Sequence, residues 1–273
     1  MSWFEAVILG LVQGLTEFLP ISSSAHLLVV SQLFGWEDPG AAFTAVSQIG
    51  TETAVIIYFR KDIWRIISTW TRSLTNADLR SNIDARMGWY VIIGTLPIGI
   101  LGFTFRHQIE TVARNLWLVA IMLIVFGIVL GLADRFGRKQ KSLESLNARD
   151  GILYGFGQAL ALIPGVSRSG ATISMGLTLG YNREAATRYA FLLAIPAVMA
   201  SGLFEALQIG EGPAPEWGPT IIATVIAFVV GYAVISWLIR YISSNSYLPF
   251  VIYRLGLGTL ILVLLGTGVL TTT

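Results

Sequence analysis

Two short segments of this chain gather nearly all the side chains that chemistry needs. The first is Gln13-Gly-Leu-Thr-Glu17-Phe-Leu-Pro20-Ile-Ser22-Ser23-Ser24-Ala-His26, and the second is Gln158-Ala-Leu-Ala-Leu-Ile-Pro164-Gly165-Val-Ser167-Arg168-Ser169-Gly170-Ala-Thr172. Each runs apolar, breaks at a proline, and then presents a cluster of hydroxyls with one ionisable group. Glu17 follows Gln13 by one helical turn, so the two share a helix face and offer oxygen ligands to a divalent cation. Arg168 supplies a planar fork of donors that matches phosphate oxygens. His26 can act as base, acid or nucleophile near neutral pH. A serine after each proline can cap a helix whose free N–H groups and positive end favour phosphate. Carboxylate, hydroxyls, imidazole and guanidinium together meet the needs of phosphoryl transfer.

Taken singly, these residues have plainer explanations. A lone histidine in an apolar stretch is more often a packing residue, and a serine triplet is usually a turn or a cap. Glu17, near the mouth of a hairpin, could snorkel to the surface. Arg168 is harder to dismiss, because charge in mid-membrane is costly and usually functional. Glu52, in Gln48-Ile-Gly-Thr-Glu52, either supports the site from behind or forms a structural pair. Glu205 and Arg254 fall near span ends, where an interfacial position is expected. What argues for function is the co-location of the tip residues.

The elements that position these residues belong in a membrane. Hydrophobic residues make up 54% and charged residues 12% of 273, against roughly 25% charged in soluble proteins. Apolar stretches at 41–59, 87–104, 116–133, 187–208, 218–239 and 248–270 match the ~20 residues needed to cross a hydrocarbon core. Segments 1–35 and 151–181 are apolar too, but proline and serine interrupt them. They read as re-entrant helical hairpins, since non-helical backbone at membrane depth must be sheltered by protein. The first segment resembles a signal peptide only in length, because it lacks a basic start and leads into Glu17 and Pro20.

Basic residues set the orientation. Loop 60–86 holds Arg60, Lys61, Arg65, Arg72, Arg80 and Arg86, and loop 134–150 holds Arg135, Arg138, Lys139, Lys141 and Arg149. Arg183, Arg188 and Arg240 fall on the same side. The opposite side has Arg106 and Arg114, with Glu211 and Glu216 in loop 209–217. The positive-inside rule places the basic loops in the cytoplasm. The first hairpin then opens outward and the second inward, and each half is one hairpin plus three spans. The expected fold is an all-α integral membrane protein with six transmembrane helices and two re-entrant hairpins in an inverted repeat. It forms a single membrane domain, 1–273, from repeats 1–135 and 150–273. Pro97 and Pro196 are read as lying inside corresponding spans. Such a repeat brings the hairpin tips together near the membrane midplane.

Several functions are excluded. The net charge of +2 reflects the loop bias, so no nucleic-acid partner is implied. The chain lacks a nucleoside triphosphate loop of the Gly-x-x-x-x-Gly-Lys-Ser/Thr type. It has no cysteine and two histidines, which argues against zinc and redox chemistry.

With Glu17-Phe-Leu-Pro20-Ile-Ser22-Ser23-Ser24-Ala-His26 and Pro164-Gly165-Val-Ser167-Arg168-Ser169-Gly170-Ala-Thr172, the chain closely resembles the undecaprenyl-diphosphate phosphatases, the bacitracin-resistance family. The similarity includes overall length, the Gln48-Ile-Gly segment and Pro249-Phe-Val-Ile-Tyr-Arg254. The resemblance implies removal of the terminal phosphate from undecaprenyl diphosphate, an isoprenoid lipid, to recycle the carrier of cell-wall synthesis. It also implies a divalent cation, Mg2+ or Ca2+, and a multi-pass protein of the bacterial plasma membrane whose site is reached from the outer face. Carried over residue by residue, the acidic motif falls on Gln13 and Glu17, which would hold the metal. The catalytic set falls on Glu17, Ser23, His26 and Arg168. Ser22, Ser24, Ser167, Arg168, Ser169 and Thr172 are the expected diphosphate contacts. One departure is Gln13, where many members carry Glu, leaving Glu17 as the main charged ligand.

The sequence leaves the nucleophile open among His26, Ser23 and a water. A secondary transporter would use the same repeat and half-helix ends, without needing a nucleophile and base beside the arginine. An acid phosphatase with Ser-x-x-His and Ser-Arg elements would need a second histidine downstream, and none follows His107. For oligomeric state, a homodimer is the default.

Overall fold

A computed structural model describes residues 1–37, 40–112, 115–208 and 216–270, without the side chains of residues 41, 110 and 203–208. The expectations placed on Arg114, Glu205 and Glu211 fall outside the described residues. Among those residues the chain forms twelve α-helices and no β-strand. In chain order, α1 (Trp3–Thr16) and α2 (Ser23–Leu33) form a broken pair, followed by α3 (Gly40–Tyr58), α4 (Arg60–Thr75), α5 (Ile83–Thr104), the short α6 (Arg106–Val112) and α7 (Leu116–Phe136). A second broken pair, α8 (Ala148–Ala159) and α9 (Arg168–Thr178), precedes α10 (Arg183–Gln208), α11 (Trp217–Ile242) and α12 (Leu248–Gly266).

Local sequence explains the starts and breaks. A capping box opens α1: Ser2 Oγ accepts the Glu5 N–H at 3.2 Å, and the Glu5 carboxylate accepts the Ser2 N–H at 2.9 Å. Asn147 caps α8 through the Asp150 N–H at 3.0 Å. The helices α2 and α9 have 11 residues each, about 16 Å of rise, so neither can cross a bilayer alone.

Five helices among the described residues are long and apolar enough to span a membrane: α5, α7, α11, α12 and α10 over Arg183–Gly202. The remaining expected span, 41–59, coincides with α3. It has 19 residues, but Gln48, Thr51 and Glu52 dilute its apolar character and keep it out of that set. Loop 60–86, read from sequence as a basic cytoplasmic loop, contains the helix α4. Its Ile66 and Ser73 are buried, and Trp70 packs on Gly88 of α5, while Arg60, Lys61, Arg65 and Arg72 face outward.

Close helix approach depends on missing side chains. A Cβ on Gly10 of α1 would lie 2.6 Å from the Ala223 carbonyl oxygen of α11, and one on Gly94 of α5 would lie 2.8 Å from the Gly151 oxygen of α8. Small residues at such crossings are the usual means of packing helices in lipid. Thus α1 lies on α11 as α8 lies on α5, while α3 packs mainly on α11 and also on α10, and α7 pairs with α12. Pro97 and Pro196 lie within α5 and α10, the second and the first expected span of their halves, so they do not occupy equivalent places. Each instead immediately precedes a residue that lines the central cavity, Ile98 or Ala197.

Ion pairs tie the loops into two faces. Arg188 Nη2 meets Asp62 at 2.8 Å, Arg183 Nε meets Asp134 at 2.6 Å, and Lys141 Nζ meets Asp150 at 2.8 Å. These join α4, the 134–150 connection and the start of α10 on one face. On the other, the Met1 amino group meets Glu216 at 3.1 Å.

Candidate functional site

The breaks after α1 and α8 bring their tips together. Glu17, at the end of α1, is the meeting point. Its Oε1 accepts from Arg168 Nη2 at 2.7 Å and from Gln48 Nε2 at 3.2 Å. Its Oε2 accepts from Ser23 Oγ at 2.6 Å and from Gln13 Nε2 at 2.9 Å. One carboxylate therefore links both tips and α3. A second cross-tip bond runs from Ser169 Oγ to the Leu19 carbonyl at 3.0 Å.

Both tips end in the same backbone device. Ser22 (φ 74, ψ 95) is the N-cap of α2, and Ser167 (φ 71, ψ 116) is the N-cap of α9. Positive φ in a residue with a Cβ costs roughly 1–3 kcal/mol and persists only where the surroundings enforce it. Ser167 Oγ accepts the Gly170 N–H at 3.2 Å, whereas Ser22 makes no side-chain cap bond and its Oγ lies 3.3 Å from Ser24 Oγ. Free first-turn N–H groups of α2 and α9 add positive potential at the tips.

A cavity of about 250 Å³ lies between the tips, lined by Gln13, Glu17, Ser22, Ser23, Ser24, Gln48, Ser167 and Arg168 together with Thr44, Ile98, Ala197 and Ser201. An apolar groove of about 520 Å³, lined by Leu101, Phe105, Ile109, Phe156 and Met175 among others, shares Leu162 and Ile163 with it. Glu52 is buried behind the site, with one carboxylate oxygen unpartnered. It lines a void of about 10 Å³ beside Glu17, Arg168 and Ser169, on the scale of a single water.

Three expected site residues do not line the polar cavity. Thr172 Oγ1 turns back to the Arg168 carbonyl at 2.8 Å, and Ser169 is engaged with the first tip. His26 Nδ1 lies 2.7 Å from the Ser22 carbonyl, which can only accept, so this nitrogen carries the hydrogen. Nε2 then faces the Tyr253 hydroxyl at 2.7 Å, with the two rings stacked at 5.5 Å.

Two residues were missed or misplaced by sequence reasoning. Gln48 counts toward the site, and its signal was a polar residue one turn before Glu52 in an apolar span. Arg254, expected at the interface, is instead fully buried and bonds to main-chain carbonyls of both tips. Its place near a helix end in sequence hid this: the start of α12 is held on Asp134 by the Tyr247 N–H at 3.0 Å, and Arg254 lies further along the helix, level with the tip carbonyls.

The donor set fits a hard cation. Gln13 Oε1 is buried without a partner beside Glu17, and a flip of the amide would exchange it with the nitrogen now bonded to the carboxylate. Oxygen ligands of this kind suit Mg2+ or Ca2+. No group of three or more His, Cys, Asp or Glu side chains comes together among the described residues, so water and phosphate oxygens would complete the shell.

Apolar helices enclosing an oxygen-rich cavity define a polytopic membrane protein with an internal polar site. Residues 6–260 match the profile of the family described as "Bacitracin resistance protein BacA", and the chain belongs to that family. It is similar to the undecaprenyl-diphosphatase of Thermobifida fusca, at 62% identity over 271 residues, covering 99% of this chain and 93% of that protein. It is 59% identical over 282 residues to undecaprenyl-diphosphatase 2 of Streptomyces coelicolor, covering 99% and 97%. The undecaprenyl-diphosphatase of a Nocardioides species is 59% identical over 271 residues, covering 99% of each chain.

Proposed function

We propose that this chain removes the terminal phosphate of undecaprenyl diphosphate, releasing inorganic phosphate and undecaprenyl phosphate, and that the cavity between the tips is where it does so. The observation that carries the reading is the Glu17 carboxylate, held at once by Arg168 from the second tip and Ser23 from the first. Arg168 and the α9 amides hold the terminal phosphate. Ser23 Oγ attacks its phosphorus while its hydrogen passes to Glu17 Oε2. The bond from that phosphorus to the bridging oxygen breaks, the lipid monophosphate leaves, and water then hydrolyses the phosphoserine. Ser23 is preferred to His26 because it both lines the cavity and meets a proton acceptor. Glu17 and Gln13 would hold a divalent cation, which neutralises phosphate charge when bound. The groove sharing Leu162 and Ile163 with the cavity suits the isoprenoid chain.

We further propose that the halves form an inverted repeat, with the site reached from the outer face of the plasma membrane, a reading supported by the pairing of α1 with α11 and α8 with α5. The activity is tested by phosphate release from the C55 diphosphate by purified protein in detergent. Chelator should abolish release, and Mg2+ or Ca2+ should restore it in wild type but poorly in Glu17→Ala. No release across a full cation titration would overturn the reading.

A further inference from the structure

Arg254 heads the large side chains that are fully buried among the described residues. Its Nε donates to the Leu123 carbonyl at 3.1 Å, and Nη1 donates to Pro20 at 3.0 Å. Nη2 is shared among Met122 at 3.2 Å and Gly165 and Val166, both at 3.0 Å. One guanidinium from α12 thus joins α7, the first tip and the second tip. We infer that Arg254 is a positioning residue: it holds both serine N-caps in their strained backbone conformation and so keeps the two tips in working shape. That these tips bind phosphate rests on the function proposed above.

The anchored carbonyls sit where the strain is. Pro20 precedes Ser22 by two residues, Val166 immediately precedes Ser167, and these serines hold φ 74 and 71. Local chemistry does not explain the first, since Ser22 makes no cap bond with its side chain. In a trans peptide the carbonyl and the following N–H point in opposite directions. Turning the Val166 carbonyl onto the guanidinium therefore turns the Ser167 N–H away from it, at a residue that lines the cavity. A planar fork can meet carbonyls from three elements at once, which an ammonium cannot. Gly170 makes room for it, because a Cβ there would lie 2.9 Å from Nη1.

The test is a double-mutant cycle between Arg254→Lys and the paired substitutions Ser22→Gly and Ser167→Gly. Glycine adopts positive φ without a steric penalty, so a guanidinium that enforces positive φ becomes partly dispensable. Comparing ratios divides out what the serine hydroxyls themselves contribute. In the wild-type background Arg254→Lys should lower kcat for phosphate release by ~10²-fold with KM within ~3-fold, and in the glycine background by ~10-fold or less. Amide hydrogen exchange should rise at residues 20–26 and 163–170 in Arg254→Lys and stay unchanged along α11. Equal losses in both backgrounds, or unchanged exchange at the tips, would overturn the inference. So would chains that fail to fold with either Arg254→Lys or Arg254→Gln in both backgrounds, since the guanidinium would then hold the bundle rather than the caps. If wild type released no phosphate, the proposed function would fall while the exchange measurement still judged Arg254.

Discussion

Glu17 is satisfied by four donors, and the fate of each partner depends on what it leaves behind. Arg168→Lys keeps the positive charge but loses the fork that reaches Glu17 and a phosphate together. Turnover should fall by ~10²-fold or more, with the melting temperature nearly unchanged. Phosphate release within a few-fold of wild type would remove the clamp role. Ser23→Ala should be more severe in turnover, ~10³-fold, because it deletes the attacking oxygen. His26→Gln retains a donor for the Ser22 carbonyl and leaves the cavity lining intact, so turnover should stay within ~10-fold of wild type. Steady-state kinetics on all three proteins would decide, and near-normal turnover in Ser23→Ala would pass the attack to His26 or a water. The chemical types were legible in sequence at Glu17, Ser23 and Arg168, since buried charge beside hydroxyls is costly without a purpose. The direction in which His26 points was not legible, because Tyr253, its partner, lies 227 residues away.

Short helices that cannot span depend on what they lean against. A side chain at Gly10 would meet the α11 backbone, and α1 carries both Gln13 and Glu17. Gly10→Leu should cost roughly 1–3 kcal/mol from overpacking and lower phosphate release, because the carboxylate moves with the helix. Gly99→Leu is the control, since a Cβ at Gly99 of α5 meets nothing within 4 Å. Thermal unfolding in detergent should separate the two, and equal melting temperatures would remove the packing argument. At this scale the apolar runs predicted most long helices, because twenty apolar residues have few other fates in water. Ends were less legible: α10 begins at Arg183, ahead of the expected 187, because ion pairs of Arg183 to Asp134 and Arg188 to Asp62 shelter the charges of its first two turns. The helix α4 was hidden because a basic amphipathic surface helix and a solvated loop have the same charge. Arg254 was hidden because its burial requires α7, α12 and two tips to meet.

Across the whole molecule, ion pairs gather Asp62, Asp134, Asp150, Arg183 and Arg188 on one face and put Met1 with Glu216 on the other. The ion pairs define that division, and the proposed sense rests on the excess of Lys and Arg, because basic loops tend to be retained in the cytoplasm. The proposed outward access to the site depends on that sense. The chain has no cysteine, so single cysteines report without background. Thr75→Cys, Glu144→Cys and Glu184→Cys replace exposed residues on or next to the basic face, and Glu216→Cys replaces an exposed one on the other. In intact cells an impermeant thiol reagent should label only the cysteine at 216, and permeabilised cells should yield all four. Protection at 216 together with labelling at 144 from outside would invert the protein in the membrane. The tip cavity would then open to the cytoplasm, and the proposed recycling of carrier lipid at the outer face would fall with it.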